Sequence, residues 1–90
     1  MENCEELNNL IKDLDYKVLF ANSLKIDELL KDDIILDDIL SENLFVLSFE
    51  LLDMIKSNPK HYNISNINDN EIVKALSSII RKMELSFIEF

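Results

Sequence analysis

Seven carboxylates crowd the stretch from Asp27 to Glu42. The pairs Asp27-Glu28, Asp32-Asp33 and Asp37-Asp38 recur every five residues, and Glu42 follows alone. Paired carboxylates can divide acid and base roles between them. Neighbours along a helix, however, point about 100° apart and would not meet one substrate. With one base among them, Lys31, these acids better suit docking on a basic protein surface, of the kind built to hold nucleic acid, where charge sets encounter rate and register. The plainer role of the same residues is a solvated face that keeps a small chain in solution.

The remaining reactive types are few. His61 lies in Pro59-Lys60-His61-Tyr62 with no Ser or Cys in a recognisable nucleophile arrangement, and a base without a nucleophile or oxyanion donor makes no active site. Cys4 sits on an apolar stripe and reads as a small core residue. Asn66-x-Asn68-x-Asn70 offers the first oxygens of a calcium loop, but Glu71 stands where Gly is needed and Ser77 where the bidentate Glu belongs. Capping of a following helix is the better use of these amides. We therefore expect no enzyme, no metal and no cofactor.

Composition narrows the classes further. The 90 residues carry 18 Asp+Glu against 9 Lys+Arg, a net charge of −9, and contain no Gly, one Pro, one Cys and one His. Without Gly there is no phosphate-cradling loop. One Cys and one His exclude a zinc cluster or a disulfide framework. The acidity opposes direct nucleic-acid or anionic-membrane binding. Ile, Leu, Val and Phe total 35 residues, too many for a disordered acidic tail, so a core can form. No apolar run approaches the roughly 20 residues that span a bilayer. The start, Met1-Glu2-Asn3-Cys4-Glu5-Glu6, lacks the basic and apolar regions of a signal peptide. A cytoplasmic location is the expectation.

Helical periodicity then supplies the scaffold. Cys4, Leu7, Leu10, Ile11, Leu14, Val18 and Ala21 mark a helix over 4–21, opened by Asn3 and Glu6 and closed by Asn22 as a left-handed cap. Its last residues, Tyr16 to Phe20, would also suit a short strand. Ser41, with Leu40 and Phe45 as staple partners, opens a helix over 42–57 that must end before Pro59. That helix is apolar nearly all round, as expected of one central in a bundle or covered on one face by a partner. Asn68 with Glu71 opens a helix over 69–88, and residues 57–66 form a long polar loop.

The segment 24–40 is less regular. Five residues turn a helix by about 500°, so the pentad of acid pairs would spread charge over every face of one helix. Two short helices, 24–31 and 33–40, meet the pattern better. The pentad is similar to the spacing of pentapeptide-repeat solenoids, though Asp37 and Glu42 occupy the position that wants a small residue. Asn22-Ser23-Leu24-x-x-x-Glu28-Leu29 resembles the Asp-Ser-Leu-x-x-x-Glu-Leu stretch of acyl and peptidyl carrier proteins, a family of small acidic helical proteins. That resemblance implies phosphopantetheine carried on Ser23 at a helix start. Asn22 replaces the family's Asp, no Gly precedes it, and Ser23 also serves simply as an N-cap.

The expectation is an all-α chain: one domain over 1–90, a compact bundle of four to five helices, acting without catalysis by binding a protein partner. The partner-binding residues would be Asp27, Glu28, Asp32, Asp33, Asp37, Asp38 and Glu42. A second reading is a homodimeric assembly module whose surface is Met83, Leu85, Phe87, Ile88 and Phe90; a carrier-like domain using Ser23 is the third.

Overall fold

A computed structural model describes residues 5–30 and 38–88, with side chains to residue 84. Helix α1 spans Glu5–Lys12, α2 Tyr16–Leu29, α3 Asp38–Ser57 and α4 Glu71–Ile88; 3-10 turns at Pro59–Tyr62 and Ile67–Asp69 join the last two. The all-α bundle is therefore present, and there is no strand among the described residues.

The expected first helix is two. Glu5 and Glu6 at the N-terminal end and Lys12 at the other suit the dipole of α1, and Leu7 and Ile11, four apart, are its buried residues. After Asp13 the chain turns, and Asp15 restarts it: its extended backbone and a 2.8 Å bond from the Val18 N–H to Asp15 Oδ1 form an N-cap. In sequence the stripe of Leu7 and Ile11 continues through Leu14, Val18 and Ala21, which is why periodicity alone joins the two pieces; in the fold the buried face of α2 is instead Leu19, Ser23 and Ile26, and Ala21 is exposed. Tyr16 to Phe20 is helical, not strand.

Asn22 and Ser23 end nothing. Both lie inside α2, where Asn22 Nδ2 donates to the Val18 carbonyl at 2.9 Å and Ser23 Oγ to that of Phe20 at 3.4 Å. The expected helix 24–31 is thus the second half of α2. Of the expected helix 33–40, the last residues belong to α3 and the rest lies outside the described residues. Ser41, expected as a cap, is buried within α3. The left-handed asparagine is Asn63, at φ 58° and ψ 36°. Asn tolerates that region because its short polar side chain bonds locally, and in a chain without Gly it takes over the usual role of Gly. The expected loop over 57–66 is partly helical, since Pro59 with its fixed φ starts the first 3-10 turn.

Capping of α4 falls to Asn70, not Asn68. Asn70 Oδ1 accepts from the N–H groups of Ile72 and Val73 at 2.9 and 3.1 Å. Asn66 Oδ1 accepts from the Asn68 N–H at 3.1 Å and opens the second 3-10 turn. Two of the three amides read as a calcium-loop echo are thus engaged in capping.

Packing centres on α4, which lies against both α2 and α3. The core draws Leu7 and Ile11 from α1, Leu19 and Ile26 from α2, Leu44, Leu51 and Ile55 from α3, and Leu76, Ile79 and Met83 from α4. Each such side chain contributes about 1.5–3 kcal/mol of apolar burial. Tyr62 reaches back from the 3-10 turn to Phe20, ring centroids 5.4 Å apart, and ties the α3–α4 connection to α2.

Candidate functional site

Helix α3 carries two stripes with the same three-four spacing. Ser41, Leu44, Ser48, Leu51 and Ile55 form the inner one, all buried. Ile39, Glu42, Val46, Phe49 and Asp53 form the other, about 180° round the helix, and all are exposed. Each stripe has three large apolar and two polar members. The pair of small uncharged hydroxyls goes inside and the pair of carboxylates outside, because burying an unpaired charge costs far more than burying a hydroxyl. Three large apolar side chains are thereby left in solvent: Ile39 is 77 % exposed, Phe49 57 % and Val46 42 %.

Carboxylates frame this apolar ridge. Asp38, Glu42, Glu50 and Asp53 are exposed on α3, whose single base is Lys56 in the last turn. Phe49 packs beside Phe45, ring centroids 6.4 Å apart. At the edge, the Tyr16 hydroxyl donates to Glu50 Oε1 at 2.6 Å, and this bond holds the phenol above its usual pKa. Of these residues Asp38 and Glu42 are expected partner-binding positions, and the helix over 42–57 is expected to lie central in a bundle or covered on one face, but Ile39, Val46, Phe49, Glu50 and Asp53 are not singled out as that face. The second three-four stripe was a usable signal.

The other expected acids have varied placements. Glu28 is exposed on α2. Asp27 is half-buried and engaged: Lys82 Nζ donates at 2.9 Å to its Oδ1, at 2.9 Å to its own carbonyl and at 3.3 Å to that of Leu30. A cation from α4 thus closes the negative end of α2. Asp32, Asp33 and Asp37 lie outside the described residues, as does Cys4.

The expected C-terminal surface loses one member. Met83 continues the Ile72, Leu76, Ile79 seam and is 6 % exposed in the monomer's own core, so it offers nothing to a partner. The backbone of Leu85, Phe87 and Ile88 continues α4, while their side chains, and Phe90, lie outside what is described. Ser23 is 1 % exposed in mid-helix, the opposite of the accessible helix-start serine that the carrier resemblance implies. A prosthetic arm could reach it only if α2 opened.

Opposite in charge to α3's outer face is an open cleft of about 460 Å³ beside α4, its walls including Lys56, Lys74, Arg81, Asn68, Ser77 and Ser78. Ser77 Oγ donates to the Val73 carbonyl at 2.9 Å, and Lys74 lies 3.5 Å from Asp69. His61 is exposed, its ring edge-on to Tyr62 at 4.9 Å. Among the described residues no group of three His, Cys, Asp or Glu could hold a metal ion, and no helix is long and apolar enough to cross a membrane.

Comparison with protein-family models, with curated proteins and with solved structures gives no match.

Proposed function

We propose that this chain is a small, non-catalytic regulator or inhibitor that acts by binding another protein, docking its acidic side on a basic surface of the target such as one built for nucleic acid. The observation that carries this reading is the outer side of α3, where Asp38, Glu42, Glu50 and Asp53 stand exposed with no base before Lys56. The wider charge distribution supports it: residues 1–58 hold 14 acids against 5 bases, while residues 59–90 balance at four each. Charge so gathered accelerates encounter with a cationic partner and repels nucleic acid itself.

A tagged chain incubated with host lysate, washed at low and at high salt, tests it. The expected partner is lost at high salt, and lost at low salt too when Asp38→Asn, Glu42→Gln and Asp53→Asn are combined. Capture that ignores both salt and the triple substitution refutes the acidic-docking reading. Recovery of nothing but untagged copies of the same chain favours the assembly module instead.

A further inference from the structure

We infer that the ridge Ile39, Val46 and Phe49 is the seat of one amphipathic helix of the partner, apolar along one stripe and flanked by Lys or Arg. This rests on the protein-binding role proposed above and names the chemistry that role requires. Of the six large apolar side chains exposed among the described residues, four lie on α3. Three of them share one straight stripe. Positions 39, 42, 46, 49 and 53 follow the three-four spacing with which two helices interdigitate, and the stripe runs about 21 Å along the axis at 1.5 Å per residue. A partner helix of about 14–18 residues covers that length, in the mode where anchors at i, i+3 and i+7 seat on an apolar face.

Charge decides between a foreign helix and a second copy. Two α3 faces laid together would oppose Asp38, Glu42, Glu50 and Asp53 with the same four acids, relieved by one Lys56 from each side. Like charges facing each other across an interface are strongly unfavourable. A helix with basic flanks turns the same four acids into attraction, while its apolar stripe takes Ile39, Val46 and Phe49 out of water. The acids then choose the partner and the ridge holds it.

The probes are two synthetic 18-residue peptides of one composition, Leu and Lys with Ala and Gln. In one, Leu follows three-four spacing with Lys on both flanks; in the other, the order is shuffled to destroy the stripe. Both are titrated into the full chain by fluorescence anisotropy. The patterned peptide should bind at least tenfold more tightly, and Val46→Ser with Phe49→Ser should erase that preference while the chain stays folded with a cooperative thermal transition. Both residues are largely exposed and outside the buried core, so the substitutions cost only the Phe45–Phe49 contact and a small drop in the midpoint, and the chain stays folded. Equal binding of the two peptides overturns the helix seat while leaving salt-dependent acidic docking standing. Preference that survives the double substitution places the seat elsewhere and also overturns it. A dimer in sedimentation at micromolar concentration that Val46→Ser with Phe49→Ser dissociates would give the ridge to a second copy and overturn it too.

Discussion

Replacing Lys82 by Met removes an ammonium and keeps the aliphatic stem, so it isolates what that one charge does. Its Nζ donates to two main-chain oxygens at the end of α2, Asp27 O at 2.9 Å and Leu30 O at 3.3 Å, and to Asp27 Oδ1 at 2.9 Å. The two side chains are 39 % and 26 % exposed. A fully exposed pair would contribute about 0–1 kcal/mol, while hydrogen bonds from a charged donor contribute about 1.5–3 kcal/mol when buried. Partial exposure puts the expected loss at the lower end, about 1.5–2 kcal/mol. For a chain of this length that lowers the thermal midpoint by about 10 °C. In urea it lowers the transition midpoint by about 1–2 M without changing the slope. The double-mutant cycle with Asp27→Asn then separates the partners. If Lys82 acts chiefly on the helix end, Lys82→Met still costs about 1 kcal/mol in the Asp27→Asn background, and the loss persists in about 0.5 M salt, where exposed pairs are screened. A cost below about 0.3 kcal/mol, or one that vanishes entirely once Asp27→Asn is in place, refutes the capping role.

Three further outcomes follow from other contacts. Asp15→Ala removes the acceptor for the Val18 N–H and should cost about 1 kcal/mol, read by urea unfolding; Asp15→Asn, which keeps an acceptor, should cost much less. Ser48 Oγ is fully buried with no hydrogen-bond partner, so Ser48→Ala should leave stability unchanged or raise it by up to about 1 kcal/mol, measured the same way. Tyr16 has its pKa raised by the bond to Glu50. A raised folded value means that this bond's contribution is complete below the ordinary phenol pKa of about 10 and fades as pH climbs through the folded value. Glu50→Ala should move the Tyr16 transition down toward that ordinary value, followed by carbon NMR of the labelled ring.

Much of the scaffold could be read from residue order because it depends on neighbours in the chain. The three-four spacing of Leu7 with Ile11, of Leu51 with Ile55, and of Ile72, Leu76, Ile79 and Met83 requires helices whatever they pack against. Pro59 sets the end of α3, and the absence of Gly leaves left-handed turns to Asn, but that Asn63 and not Asn22 takes that role needed the structure. Less was legible where two local answers were nearly equal. Leu14, Val18 and Ala21 prolong the spacing of Leu7 and Ile11 in the sequence, so one helix and two look alike until the Asp15 cap and the buried Leu19, Ser23 and Ile26 are seen. Three asparagines near the start of α4 could each cap it, and only the geometry selects Asn70.

Facing and pairing needed the folded chain. Periodicity gives α3 two stripes of similar apolar content, and the cost of burying Glu42 and Asp53 favours the Ser41 and Ser48 stripe as the inner one; only the packed structure shows that Ile39, Val46 and Phe49 then stay exposed rather than covered by another described helix. Lys82 and Asp27 are 55 residues apart, and no spacing in the sequence joins them. Local order fixes what a segment can form, since those interactions close within a turn or two. Which face it shows to water is set by contacts between distant segments, and the candidate site of this protein is a face of that kind.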